Sequence, residues 1–165
     1  MIKQFEKLVH VMTLRTAQVA QFAMVFIMIV IVANVILRIP WKPIGGTVEL
    51  VEMAGAILLA LGIAYTALMK GHITVGILVE RFPPRLRALT DLLVNLIAMV
   101  FSFVLARELF LHALNMLSRG YETGHLKIPV APSIFLVAFG FIMLTMVLLL
   151  NLVRAAAALF GKEGT

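Results

Sequence analysis

Charged residues are missing from four long stretches of this chain and gather in the short pieces between them. Residues 16–37, 53–69, 92–106 and 128–153 form uncharged runs of 22, 17, 15 and 26 residues. A helix rises about 1.5 Å per residue, so roughly 20 residues cross a hydrocarbon layer about 30 Å thick. The first and last runs are long enough outright. The middle two reach across if their charged ends extend into the headgroups. A backbone in lipid must satisfy its own hydrogen bonds, which leaves helices or a closed barrel. Barrel strands read as alternating segments of about 10 residues, whereas these runs are continuous. The pattern predicts an all-α membrane protein with one membrane domain over residues 1–165 and spans near 16–38, 48–69, 88–115 and 129–154.

The intervening pieces sharpen that frame. Ile2, Phe5, Leu8, Val9 and Met12 alternate with Lys3, Glu6, Lys7 and His10 at helical spacing. They predict an amphipathic segment lying on the membrane surface and running into span 1. Pro40 ends span 1 just after Arg38, and Trp41 with Pro43, Gly45 and Gly46 predicts an interfacial turn. Glu49 and Glu52 open span 2, where acidic groups complement the helix dipole. Residues 71–80 are too short and broken to span, and predict a short interfacial helix or turn. Span 3 is expected to continue as helix past Ala106 to about Leu117. Arg119-Gly120-Tyr121-Glu122-Thr123-Gly124-His125 then forms a polar loop. Pro129 and Pro132 suit the first turn of span 4, whose amides are unpaired anyway.

Composition agrees, with 62 % hydrophobic residues. Four spans leave no room in 165 residues for a sizeable soluble domain. The net charge of +6 is that of basic span ends meeting lipid, and no arginine tract or aromatic platform points to nucleic acid. With no cysteine, disulfides and thiolate metal sites are excluded. The first run is too long for a signal-peptide core and reads as a retained span. Lys3, Lys7, Arg15, Lys70, Arg81, Arg85, Arg87, Arg154 and Lys162 lie on one side, and Arg38, Lys42, Arg107, Arg119 and Lys127 on the other. The positive-inside rule puts the larger set, and both termini, in the cytoplasm.

Candidate chemistry is sparse. Glu108 and His112 share a helix face, a spacing a metal or proton site could use. With no third ligand nearby, two side chains beyond the hydrocarbon are the preferred reading. The four histidines lie at span ends or in loops, so no embedded haem pair forms. Arg38, Glu49 and Glu52 flank one interface. An ion pair across the first hairpin, a contact to a partner and ordinary end-capping all remain open. Ala56, Ala60 and Ala64 in span 2, and Ala98, Ser102 and Ala106 in span 3, recur every fourth residue and predict close helix packing. Asn34, Asn95 and Asn151 suit interhelical glue. No span carries a central charge or a proline break, as midplane transport sites often do. That pattern favours a support subunit. A self-sufficient homo-oligomeric transporter or channel would need Glu52 as its working carboxylate, and a membrane enzyme or electron-transfer anchor lacks a nucleophile-base arrangement. The candidate interface or structural polar residues are Arg38, Trp41, Glu49, Glu52, His72, Arg107 and Glu108. No residue is assigned a catalytic, metal or cofactor role.

The order of these motifs resembles the small four-helix membrane subunit (DctQ-like) of tripartite ATP-independent periplasmic (TRAP) transporters. Arg38 closes span 1, Pro40-Trp41 leads to Glu49 and Glu52, and span 2 ends in Leu61-Gly62-Ile63-Ala64-Tyr65. Lys70-Gly71-His72-Ile73-Thr74-Val75 is similar to the family's Gly-x-His-Ile-x-Val stretch, and Thr123–Pro129 with Pro132 to its approach to span 4. Gly76 stands where members often have an acid, and Glu49 and Glu52 are separated where the glutamates are commonly adjacent. The resemblance implies a subunit of the bacterial or archaeal inner membrane. It would scaffold a large elevator-type subunit (DctM-like), and a periplasmic binding protein (DctP-like) would deliver an organic acid. A sodium gradient would drive uptake, with the sodium bound by the large subunit and no cofactor in this chain.

Overall fold

A computed structural model describes residues 2–40, 42–69 and 84–160. Four helices account for nearly all of them: α1 Ile2–Arg38, α2 Thr47–Leu68, α3 Pro84–Ser118 and α4 Ala131–Phe160. Each is long and apolar enough to cross a membrane. The interfacial segment expected at 71–80, with His72, lies outside the described residues, as do Trp41 and the tail at 161–165.

The ends follow local chemistry. α2 starts behind Gly46, which adopts a left-handed backbone (φ +81°), and the Thr47 hydroxyl donates to the Ile44 carbonyl at 2.8 Å. α3 begins on Pro84, where the missing N–H costs nothing. It ends when Gly120 turns left-handed (φ +60°). There the Tyr121 N–H donates to Met116 and the Gly120 N–H to Leu117, both at 3.2 Å. This pair of hydrogen bonds satisfies carbonyls that a helix end leaves open. α4 starts two residues later than the prolines suggest, because residues 128–130 pair back onto the preceding loop.

The helices stand in an open row, α1–α2–α4–α3. Among the described residues, α2 packs on α1 and α4, α3 packs substantially only on α4, and α1 touches α4 lightly. Both edges of the row are therefore open. α1 turns one face inward: Val9, Thr13, Thr16, Ala20, Ala23, Ile27, Val30 and Asn34, spaced alternately by four and three, run along it, with Met12, Ala17 and Ala33 buried or half-buried beside them. That 3.5-residue rhythm is a coiled-coil seam, narrower than the apolar face of a globular helix.

The N-terminal segment departs from expectation. It is the first third of one helix 37 residues long, about 55 Å by its rise, more than a bilayer with its headgroups. Val9 and Thr13 are 2 % and 0 % exposed. Val9 packs with Ala64, Ala67, Met143, Leu144, Val147 and Leu148, and Met12 lies against the same cluster. Of the apolar face expected to lie on the membrane, Val9 and Met12 thus pack against α2 and α4, while Leu8 stays exposed with Lys7 and His10.

The tightest seam joins α2 to α4. A Cβ on Gly140 would lie 2.4 Å from the Ala60 carbonyl oxygen, so the two backbones meet with nothing between them. Lipid tails are as apolar as leucine, so helix association rests on such close contact. Ala60 and Ala64 of the α2 stripe are buried here, whereas Ala56 is exposed. On α3, Ser102, Ala106 and Ala113 are buried and Ala98 is half-buried. Phe110 and Phe135 join α3 to α4 edge to face, with ring centroids 5.5 Å apart.

A clasp and a groove at one end of the helix row

The end of the row carrying the α1–α2 and α3–α4 loops concentrates the polar contacts. Glu49, in the first turn of α2, sends its carboxylate across to the α3–α4 loop. One oxygen accepts the His125 N–H at 2.6 Å and the other the Leu126 N–H at 3.0 Å. The loop is shaped to offer them. The Thr123 N–H donates to the Ile128 carbonyl and the Ile128 N–H to the Thr123 hydroxyl. The Val130 N–H donates to Tyr121, closing a small antiparallel turn around Glu122 and Pro129. Lys127 takes a left-handed backbone (φ +51°) within it, a conformation that costs a non-glycine residue energy. The Leu126 side chain covers Gly46, where a Cβ would lie 2.4 Å from its Cγ. Gly46 therefore serves twice, in its left-handed turn and under Leu126. One residue set thus pins α2 to the approach of α4, and charge-assisted bonds of this kind are roughly twice as strong as neutral ones. Asn34 closes the other loop, its Oδ1 accepting the Ile44 N–H at 2.8 Å.

The remaining candidates are placed less firmly. Arg38 ends α1, exposed, and makes no ion pair with Glu52 or Glu49. Glu52 is exposed one turn below Glu49. Among the described residues the ion pair is that of the neighbours Arg107 and Glu108, both more than half exposed, and such pairs contribute about 0–1 kcal/mol. No three His, Asp or Glu side chains among the described residues come together as a metal site.

Beside the clasp, α2 and α3 stand apart over α4 and leave a groove of about 570 Å³. Met53, Leu109, Ile134 and Val137 supply apolar walls, and Glu49, Glu52, His112 and Glu122 surround its mouth. Ala56 lines this groove, which explains its exposure. Sequence reasoning brought Glu49 and Glu52 together but missed Glu49's partners, which are backbone amides 76 and 77 residues away. The available signal was glycine on both sides of the contact, Gly46 and Gly124.

The site holds helix ends in register and contributes an open acidic mouth. Comparison with curated proteins and with solved structures gives no match. The family model described as "Tripartite ATP-independent periplasmic transporters, DctQ component" matches residues 27–158. The match takes in the clasp, the α2–α4 contact and the last part of the α1 seam from Ile27 onward, and its family is a transporter component rather than an enzyme family. The chain belongs to the DctQ family, the small permease component of TRAP transporters.

Proposed function

We propose that this chain is the stationary, non-carrying membrane subunit of its transporter, scaffolding the large elevator-type subunit during binding-protein-dependent uptake of an organic acid. The observation that carries this reading is the open row. α1 and α3 leave broad apolar faces uncovered, including Phe22, Ile29, Ile97 and Phe101, all more than 60 % exposed. A chain built to move cargo through itself needs a polar route. Here the interior seam is alanine, glycine and aliphatic side chains, with Thr13, Thr16 and Ser102 as short buried hydroxyls. A large second subunit alongside the row, with lipid over the rest, is the natural cover for its edges.

The charge bias between the two ends supports cytoplasmic termini in the inner membrane, with the clasp on the periplasmic side. Sodium coupling, with the ion in the large subunit, and an organic acid as substrate follow the family resemblance. The test is uptake of labelled organic acid into liposomes. The chain alone is expected to move nothing, and the chain with its large subunit and binding protein to accumulate substrate under an inward sodium gradient. Uptake by the isolated chain, abolished by Glu52→Gln, would instead establish a self-sufficient carrier.

A further inference from the structure

The groove beside the clasp has a charge pattern that scaffolding does not require. Three carboxylates, Glu49, Glu52 and Glu122, lie at its mouth, and among the described residues no lysine or arginine of this chain lines it. Glu49 is matched by two backbone N–H groups. Glu52 and Glu122 are exposed and enter no ion pair. Below them Ser133 lines the groove, only 8 % exposed. Its hydroxyl makes no side-chain hydrogen bond to another described residue and lines the groove.

We propose that this groove seats a lysine or arginine side chain of another chain of the transporter, a proposal resting on the tripartite reading above. The fit is chemical at both levels. A long basic side chain lays its methylene stem on apolar surface and keeps its charge at the polar rim. Met53, Leu109, Ile134 and Val137 supply the surface, Glu52 and Glu122 the countercharge, and Ser133 a hydroxyl that accepts a further N–H group. A bare metal ion fits poorly, because the acidic side chains do not converge on one point. A phospholipid amine fits poorly too. Its phosphate, a few ångströms from the nitrogen, would sit among carboxylates with no cation lining the groove to offset it.

The experiment is co-purification of the full transporter through a tag on this chain, comparing wild type, Glu52→Gln/Glu122→Gln and Glu52→Lys/Glu122→Lys. Glu49 is left intact because it holds the clasp. Circular dichroism and thermal unfolding of the chain check that the exposed substitutions leave the fold unchanged. Recovery of one partner chain is expected to fall about tenfold in the glutamine variant and further in the lysine variant. Wild-type recovery should decline with added salt, and the glutamine variant should lose that dependence. Unchanged recovery in the lysine variant overturns the proposal. So does native mass spectrometry in which the variants lose bound phosphatidylethanolamine and keep both partners, since the occupant is then a lipid. Failure of wild type itself to recover either partner would contradict the tripartite reading instead, a result distinct from the other two.

Discussion

The most apolar stretches of α1 and α4 are nearly equal in hydropathy, yet 6 % of that of α1 is buried against 44 % of that of α4. Hydropathy therefore measures where a helix lives and says nothing of what it touches. α4 sits between α2 and α3 and turns Ala138, Gly140, Met143, Leu144, Val147 and Leu148 into the row. α1 meets the row by a single seam and shows lipid or a partner the rest of its surface. Small residues mark the difference: the interior helices meet through glycine and alanine, while Phe, Ile, Met and Val crowd the open sides of the edges. In lipid there is no hydrophobic reward for burying a leucine between helices, so close backbone approach must supply the association.

Several substitutions would break that comparison if it is wrong. Gly140→Val should do most damage, since its Cβ alone would overlap the Ala60 carbonyl. Forcing α2 and α4 apart is expected to lower stability by about 3 kcal/mol or more in a reversible detergent-unfolding assay. Leu148→Ala empties part of the buried cluster around Val9 and Ala67. It should cost roughly 2 kcal/mol, the low end for buried leucines because lipid replaces water as the competing solvent. Gly46→Ala tests the clasp. A left-handed alanine under Leu126 should cost about 1–2 kcal/mol, read by the same assay. Glu49→Gln should act locally, speeding amide exchange at His125 and Leu126 several-fold while the midpoint of global unfolding barely moves.

The spans were legible in the sequence because charge is excluded from hydrocarbon, and that exclusion shows residue by residue. The order of the row was not, because apolar side chains suit lipid and a neighbouring helix equally. The N-terminal segment illustrates the ambiguity. Its periodicity marks a helix face, but a face made of Val9 and Met12 can lie on a membrane or against Ala67 and Val147. The clasp was half legible. Two glutamates at the start of α2 drew notice, but an acceptor whose donors are backbone amides leaves no side-chain signature at the other end. Gly140 stands alone in its span, and its importance emerges only from the Ala60 carbonyl opposite. Ala56 matched the spacing of Ala60 and Ala64 and still faces the groove, because α2 and α3 diverge toward the clasp.

The most direct test of the contrast between interior and edge is paired unfolding of Leu148→Ala and Phe101→Ala in the isolated chain. Phe101, 64 % exposed on α3, is the larger side chain, so loss of apolar bulk alone would make its removal the costlier. The open row predicts the reverse: Leu148→Ala lowers stability by roughly 2 kcal/mol and Phe101→Ala by less than about 0.5 kcal/mol. Equal losses, or a greater loss from Phe101→Ala, would mean that α3 is buried against the other helices and that the row is closed.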